Sequence, residues 1–147
     1  MKGINLGIED WDFLSQLDNI FTITLEDNLL HRKTQGIWSP YMPSYLSRFS
    51  SLSSLSMMCN GLKVLPPHIY SLTTLANLDL CDNEIESFPD KLGMLVNLER
   101  LTLSKNKLAD LSESYLSSLT KLQYLWLDDN AFEKVMIFDA RTRLWIY

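Results

Sequence analysis

The 147-residue chain has few of the residues that mark specialised classes. Its two cysteines, Cys59 and Cys81, are too few for a disulfide scaffold. Only five glycines are present, and no Gly-rich phosphate loop, nucleophile elbow or His-Glu-x-x-His pattern occurs. The basic excess of a nucleic-acid-binding face is missing, because the formal net charge is −5. A basic amphipathic surface helix is missing too, and no apolar run has the length of a membrane span. Met1 to Asp10 lacks the apolar stretch and small-residue cleavage site of a secretory leader, so a reducing, intracellular (cytoplasmic) setting is the expectation. Hydrophobic residues, at 46%, are numerous enough to build a core, so disorder is not expected.

What is present is a period. The spacing Leu-x-x-Leu-x-Leu-x-x-Asn-x-Leu recurs along the chain. It runs through Leu52, Leu55, Met57, Asn60 and Leu62, then Leu75, Leu78, Leu80, Asn83 and Ile85. Two further copies run through Leu98, Leu101, Leu103, Asn106 and Leu108, and through Leu122, Leu125, Leu127, Asn130 and Phe132. The offsets are 23, 23 and 24 residues. An earlier copy, Ile20, Ile23, Leu25, Asn28 and Leu30, begins 32 residues before Leu52. Its second half, Met42, Pro43, Leu46, Phe49 and Leu52, parallels Leu65, Pro66, Ile69, Leu72 and Leu75, so residues 31–41 form an insertion in the first repeat.

Leu-x-Leu is a period-2 strand pattern with both leucines on one face. A lone strand cannot bury that face, so successive repeats must stack on each other. Asn at the ninth position lies where the chain leaves the strand, where its amide both donates and accepts for turn backbone groups. Proline after the second-half leucine suits an irregular connection and not a central strand.

These five in-register copies, from Ile20 to Val135, resemble the leucine-rich-repeat family. Leu65-Pro66 and Phe88-Pro89 make the 23-residue repeats similar to its intracellular, Ras-suppressor-like branch. The 24-residue repeat with Leu111, Tyr115, Leu116 and Leu119 resembles the form widespread in extracellular receptors. The resemblance implies an α/β solenoid: a curved right-handed arc with a parallel sheet on the concave side and irregular, 3₁₀ or short helical segments on the convex side. It also implies a role in binding proteins, of the kind that regulates small GTPases, phosphatases or signalling assemblies.

The expected organisation has three parts. Residues 1–19, with Trp11, Phe13, Leu14 and Leu17 at helical spacing after Asp10, form an N-terminal cap. Residues 20–135 carry repeats starting near 20, 52, 75, 98 and 122. Residues 136–147 lose the pattern and form a C-terminal cap, or mark the point where a longer protein is cut. A third reading takes Trp145-Ile146-Tyr147 as a hydrophobic motif for a partner.

Alternation sends the third, fifth and seventh motif positions to the open face, with the eighth at the strand exit. The C-terminal end of that face would gather Tyr124, Trp126, Arg100, Thr102, Lys105, Asp128 and Asp129, with Asp79 and Asp82 nearer the middle. Aromatic and arginine side chains concentrate binding energy at interfaces, so Tyr124 and Trp126 lead the candidates. Two blander readings stand beside this one: Trp126 covered by the tail or an edge loop, and the acids forming only a solvated face. The insertion, with Trp38 and Tyr41, is either a second contact loop or a tolerated excursion. No catalytic, cofactor or metal residues are expected; Cys59, Cys81 and Asp82 offer at most a weak metal or redox grouping. The expectation is therefore a non-enzymatic, monomeric adaptor for a partner protein. The alternatives are a targeting or substrate-recognition piece of a larger enzyme or signalling protein, and a self-associating scaffold.

Overall fold

The computed structural model describes residues 20–26, 31–34, 37–40, 47, 49–133 and 145–146. The expected N-terminal cap lies outside the described residues, as do Asp27, Asn28, Tyr41, Met42 and Leu46.

Each repeat contributes one three-residue strand whose central leucine or isoleucine is buried. These are β1 (Thr22–Thr24), β4 (Ser54–Ser56), β5 (Asn77–Asp79), β6 (Arg100–Thr102) and β7 (Tyr124–Trp126). They pair in parallel without a register slip, so that Thr22, Ser54, Asn77, Arg100 and Tyr124 form one row across the sheet. Ile23, Leu55, Leu78, Leu101 and Leu125 stack beneath that row, each 6% exposed or less. A fully buried leucine stabilises by roughly 1.5–3 kcal/mol, and here that burial exists only because the neighbouring repeat supplies the wall.

Past β4, β5, β6 and β7 the chain turns sharply. Cys59, Asp82, Lys105 and Asp129 all have left-handed backbone, with φ of 58°, 56°, 55° and 56°. Such a conformation in a non-glycine residue costs on the order of 1–3 kcal/mol and persists only where its surroundings enforce it. The asparagine that follows does so. The Asn83 Oδ1 accepts from the amides of Asn60 (3.2 Å) and Leu62 (2.9 Å) in the preceding repeat. Its Nδ2 donates to the carbonyls of Met57, Leu80 and Cys81. Asn106 accepts from the Ile85 amide at 3.0 Å and donates to Leu80, Leu103 and Ser104. Asn130 accepts from Leu108 and donates back to Leu103, Leu127 and Asp128. Asn60 donates to Leu25 at 2.7 Å and to Met58. Each side chain thus closes its own turn and clasps the repeat before it.

The convex side returns through 3₁₀ turns at Pro67–Ser71 and Asp90–Met94, each entered from a proline. The 24-residue repeat instead forms a single α-helical turn, α1 (Glu113–Leu116), in which the one additional residue is accommodated. Gly93 lets α1 approach: a Cβ there would lie 3.2 Å from Ser118 Cβ and 3.3 Å from Tyr115 Cα. Tyr115 and Leu119 complete the core on this side.

Two segments departed from repeat spacing, and the described residues of both lie in strands. The insertion forms an antiparallel hairpin, β2 (His31–Thr34) with β3 (Ile37–Pro40), in a sheet separate from the solenoid's. In the tail, β8 (Trp145–Ile146) pairs in parallel with β7, setting Trp145 opposite Tyr124 and Ile146 opposite Leu125. The main sheet therefore has six strands, in the order β1-β4-β5-β6-β7-β8. Among the described residues no helix is long and apolar enough to cross a membrane.

Asn106→Ala should destabilise the chain by about 2–4 kcal/mol, because it strands a buried amide and several buried carbonyls together. Urea unfolding followed by circular dichroism measures this. Asn130→Ala, at a partly exposed site, should cost less.

Candidate functional site

The concave face is built by residues that flank the buried leucines. On β7, Tyr124 and Trp126 are two apart and so share this face. Their rings stack with centroids 5.7 Å apart and planes inclined by 12°. Arg100 occupies the register position beside Tyr124 on β6, and its Cζ lies 5.0 Å from the Tyr124 ring centroid. Its Nη1 also donates to Asn77 Oδ1, on the next strand, at 3.3 Å. A line of contacts thus runs Asn77–Arg100–Tyr124–Trp126 across three strands. Cation–π and stacking contacts of this kind hold long side chains in a defined arrangement.

The other candidates sit around this line. Asp79, Thr102 and Trp126 form the neighbouring row, in register across β5, β6 and β7. Asp79 turns one oxygen inward, accepting from the Cys81 amide at 3.0 Å. Asp128 lies two residues beyond Trp126 and accepts a hydrogen bond from the Ser104 hydroxyl. That contact explains why Ser104, though at a seventh position, is buried. Asp82, Lys105 and Asp129 are exposed and form the corner row of left-handed residues. Arg100, Thr102, Tyr124 and Trp126 are brought together; Asp79 and Asp82 belong to the middle of the face.

Tyr124 and Trp126 are half-buried and Arg100 is exposed. Pairing with β8 reaches Tyr124 and Leu125 and, within the described residues, stops short of Trp126. Sequence reasoning missed Asn77 and Ser104 as partners of Arg100 and Asp128. Their equivalent motif positions one repeat earlier were the available clue.

The cysteines are neighbours: the Cys59 amide donates to the Cys81 carbonyl at 3.1 Å, and the Cys59 thiol contacts Asp82 Oδ2 at 3.5 Å. Neither is in a disulfide, and both are half-buried. Burial, followed by the nearby Asp79 carboxylate, raises the Cys81 thiol above its ordinary range. Those conditions disfavour the thiolate that nucleophilic or redox chemistry needs. No grouping of three or more metal-ligating side chains occurs among the described residues.

Residues 73–132 match the family model described as leucine rich repeat. The fold is a leucine-rich-repeat solenoid. No curated protein matches the sequence. Among solved structures, a leucine-rich-repeat protein from Leptospira interrogans is 24% identical with a TM-score of 0.67, the match covering 91% of this chain and 38% of that one. An internalin from Listeria monocytogenes is 21% identical with a TM-score of 0.68, covering 91% of this chain and 63% of that one. The structure of the Drosophila Toll–Spatzle complex matches at 24% identity and a TM-score of 0.65, over 82% of this chain and 15% of that one. The chain thus spans less than two thirds of each of these repeat proteins, and at these identities the likeness is one of fold.

Within the solenoid, the two thiols separate a structural from a reactive role. Alkylation of Cys81 in a Cys59→Ser background at neutral pH should run slower than that of a free cysteine, and Asp79→Asn should speed it. A rate above the free thiol's would contradict the burial argument.

Proposed function

We propose that this chain is a non-catalytic protein-binding module, an adaptor or regulatory scaffold that holds a partner protein on its concave face. Leucine-rich-repeat domains are generally protein-interaction modules, and they are typically non-enzymatic. The partner-contacting set comprises Tyr124, Trp126, Arg100, Thr102, Lys105, Asp79, Asp82, Asp128 and Asp129. The single observation that carries this reading is the ordered stack of Arg100, Tyr124 and Trp126 on an open sheet face. Such side chains lose little freedom on binding, and they are the types that dominate interface energetics. Five repeat strands at about 4.8 Å spacing give a face roughly 20–25 Å across, enough with its rim to supply the roughly 800 Å² per partner of a standard interface.

The proline-entered 3₁₀ turns at Pro67–Ser71 and Asp90–Met94 support kinship with the intracellular, Ras-suppressor-like branch. Two cysteines outside any disulfide suit a reducing, cytoplasmic setting. One of the similar structures, the Toll–Spatzle complex, is itself an assembly with a partner. A second reading, that the chain is the recognition part of a larger repeat-containing enzyme or signalling protein, is favoured by the 15–63% of the similar structures that it spans.

The test is affinity capture from the native cell extract by wild type and by a Tyr124→Ala, Trp126→Ala variant. A partner held by wild type should be lost, with affinity falling about 30-fold or more, while circular dichroism stays unchanged. Retention of every partner by the folded variant would move binding off the concave face.

A further inference from the structure

The side chains around Trp126 bear on what kind of segment this face takes. Arg100 already rests on the tyrosine half of the aromatic pair. The chain's own guanidinium thus already lies over one ring of the pair. Among the described residues no cation lies over Trp126, although an indole is the stronger cation acceptor of the two rings. Asp128, two residues along and on the same face, is exposed, and of its two oxygens only Oδ1 is engaged among the described residues. Asp79 closes the other end of the Trp126 row. Across the described face and its exit row, Glu26, Asp79, Asp82, Asp128 and Asp129 outnumber Arg100 and Lys105.

Resting on the concave-face reading, we infer that the segment bound there is basic and extended, with a lysine or arginine of the partner laid on the Trp126 ring. Its cationic head is within reach of Asp128, roughly 6–7 Å from Trp126 at strand spacing. The acidic exit row then draws the rest of the segment across the strands. An acidic segment meets the opposite: only Arg100 and Lys105 would attract it, and the Arg100 guanidinium is already shared between Tyr124 and Asn77.

The experiment is fluorescence anisotropy with labelled short peptides titrated with the full chain. One peptide is rich in Arg and Lys with Ser spacers; a length-matched control carries Glu in their place. The basic peptide should bind, and more weakly as salt is raised. Trp126→Ala should weaken it roughly 3- to 30-fold, whereas Trp126→Phe, which keeps a ring, should weaken it less. Asp128→Asn should also weaken it. Asp110→Asn removes the same charge from the exposed loop before α1 and should leave affinity unchanged. Preference for the Glu peptide, lost on Trp126→Ala, overturns the basic partner and leaves the concave face standing. Basic-peptide binding that ignores Trp126→Ala, or falls equally with Asp110→Asn, overturns the inference and also argues against this face. If neither peptide binds, the inference is overturned.

Discussion

In each of the four repeats from Leu52 onward one asparagine reaches backward across the stack, and the rest of the architecture depends on that clasp. A three-residue strand offers few ladder hydrogen bonds. The left-handed corner after it is intrinsically unfavourable. Asn60, Asn83, Asn106 and Asn130 solve both problems, since each amide satisfies groups of its own turn and of the repeat before. No apolar residue could replace them without leaving buried carbonyls and amides unpaired. Aspartate would place a charge against several carbonyl oxygens and offer no donor. The clasp fixes the spacing at which leucines meet leucines, and so it makes the core possible.

The concave face inherits this rigidity. Arg100 meets Tyr124 because β6 and β7 lie in exact register, and Tyr124 meets Trp126 because alternation sends both to one side. The 24-residue repeat separates Arg100 from Tyr124 in sequence, yet its additional residue is taken up on the convex side in α1 and does not disturb the pairing. Irregularity is thus absorbed away from the concave face. The hairpin β2–β3 illustrates the same division, since its insertion leaves β1 and β4 paired as neighbours.

Much of this was legible in the sequence. The Leu-x-Leu period gave the strands, their parallel order and their inward residues, since only stacking buries such a pattern. The Leu65-Pro66 and Phe88-Pro89 pairs pointed to non-strand returns, and these are 3₁₀ turns. The left-handed corners were not legible, because Cys59 and Lys105 are not residue types that favour such backbone. The hairpin was read only as an insertion; its residues 31–40 carry no apolar alternation to announce strands. β8 escaped for a related reason: two residues pair with β7 without the leucine and asparagine spacing that marks the other repeats. The Arg100–Tyr124 contact required knowing the register, which composition alone does not supply. Ser104 was placed on the open face, and the carboxylate of Asp128 instead holds it under cover.

The most direct test of the central claim is amide hydrogen exchange on the full-length wild-type chain. The amides of Leu62, Ile85 and Leu108 have asparagine side chains of the following repeat as acceptors. If the clasp holds the stack together, these three should exchange only through the same opening that releases the amides of Met57, Leu80 and Leu103, which bond to the following repeat just past their strands. Exchange of all three at the rate of exposed turn amides, with those inter-repeat amides still protected, would show that the strands stack without the asparagines, and would contradict the account.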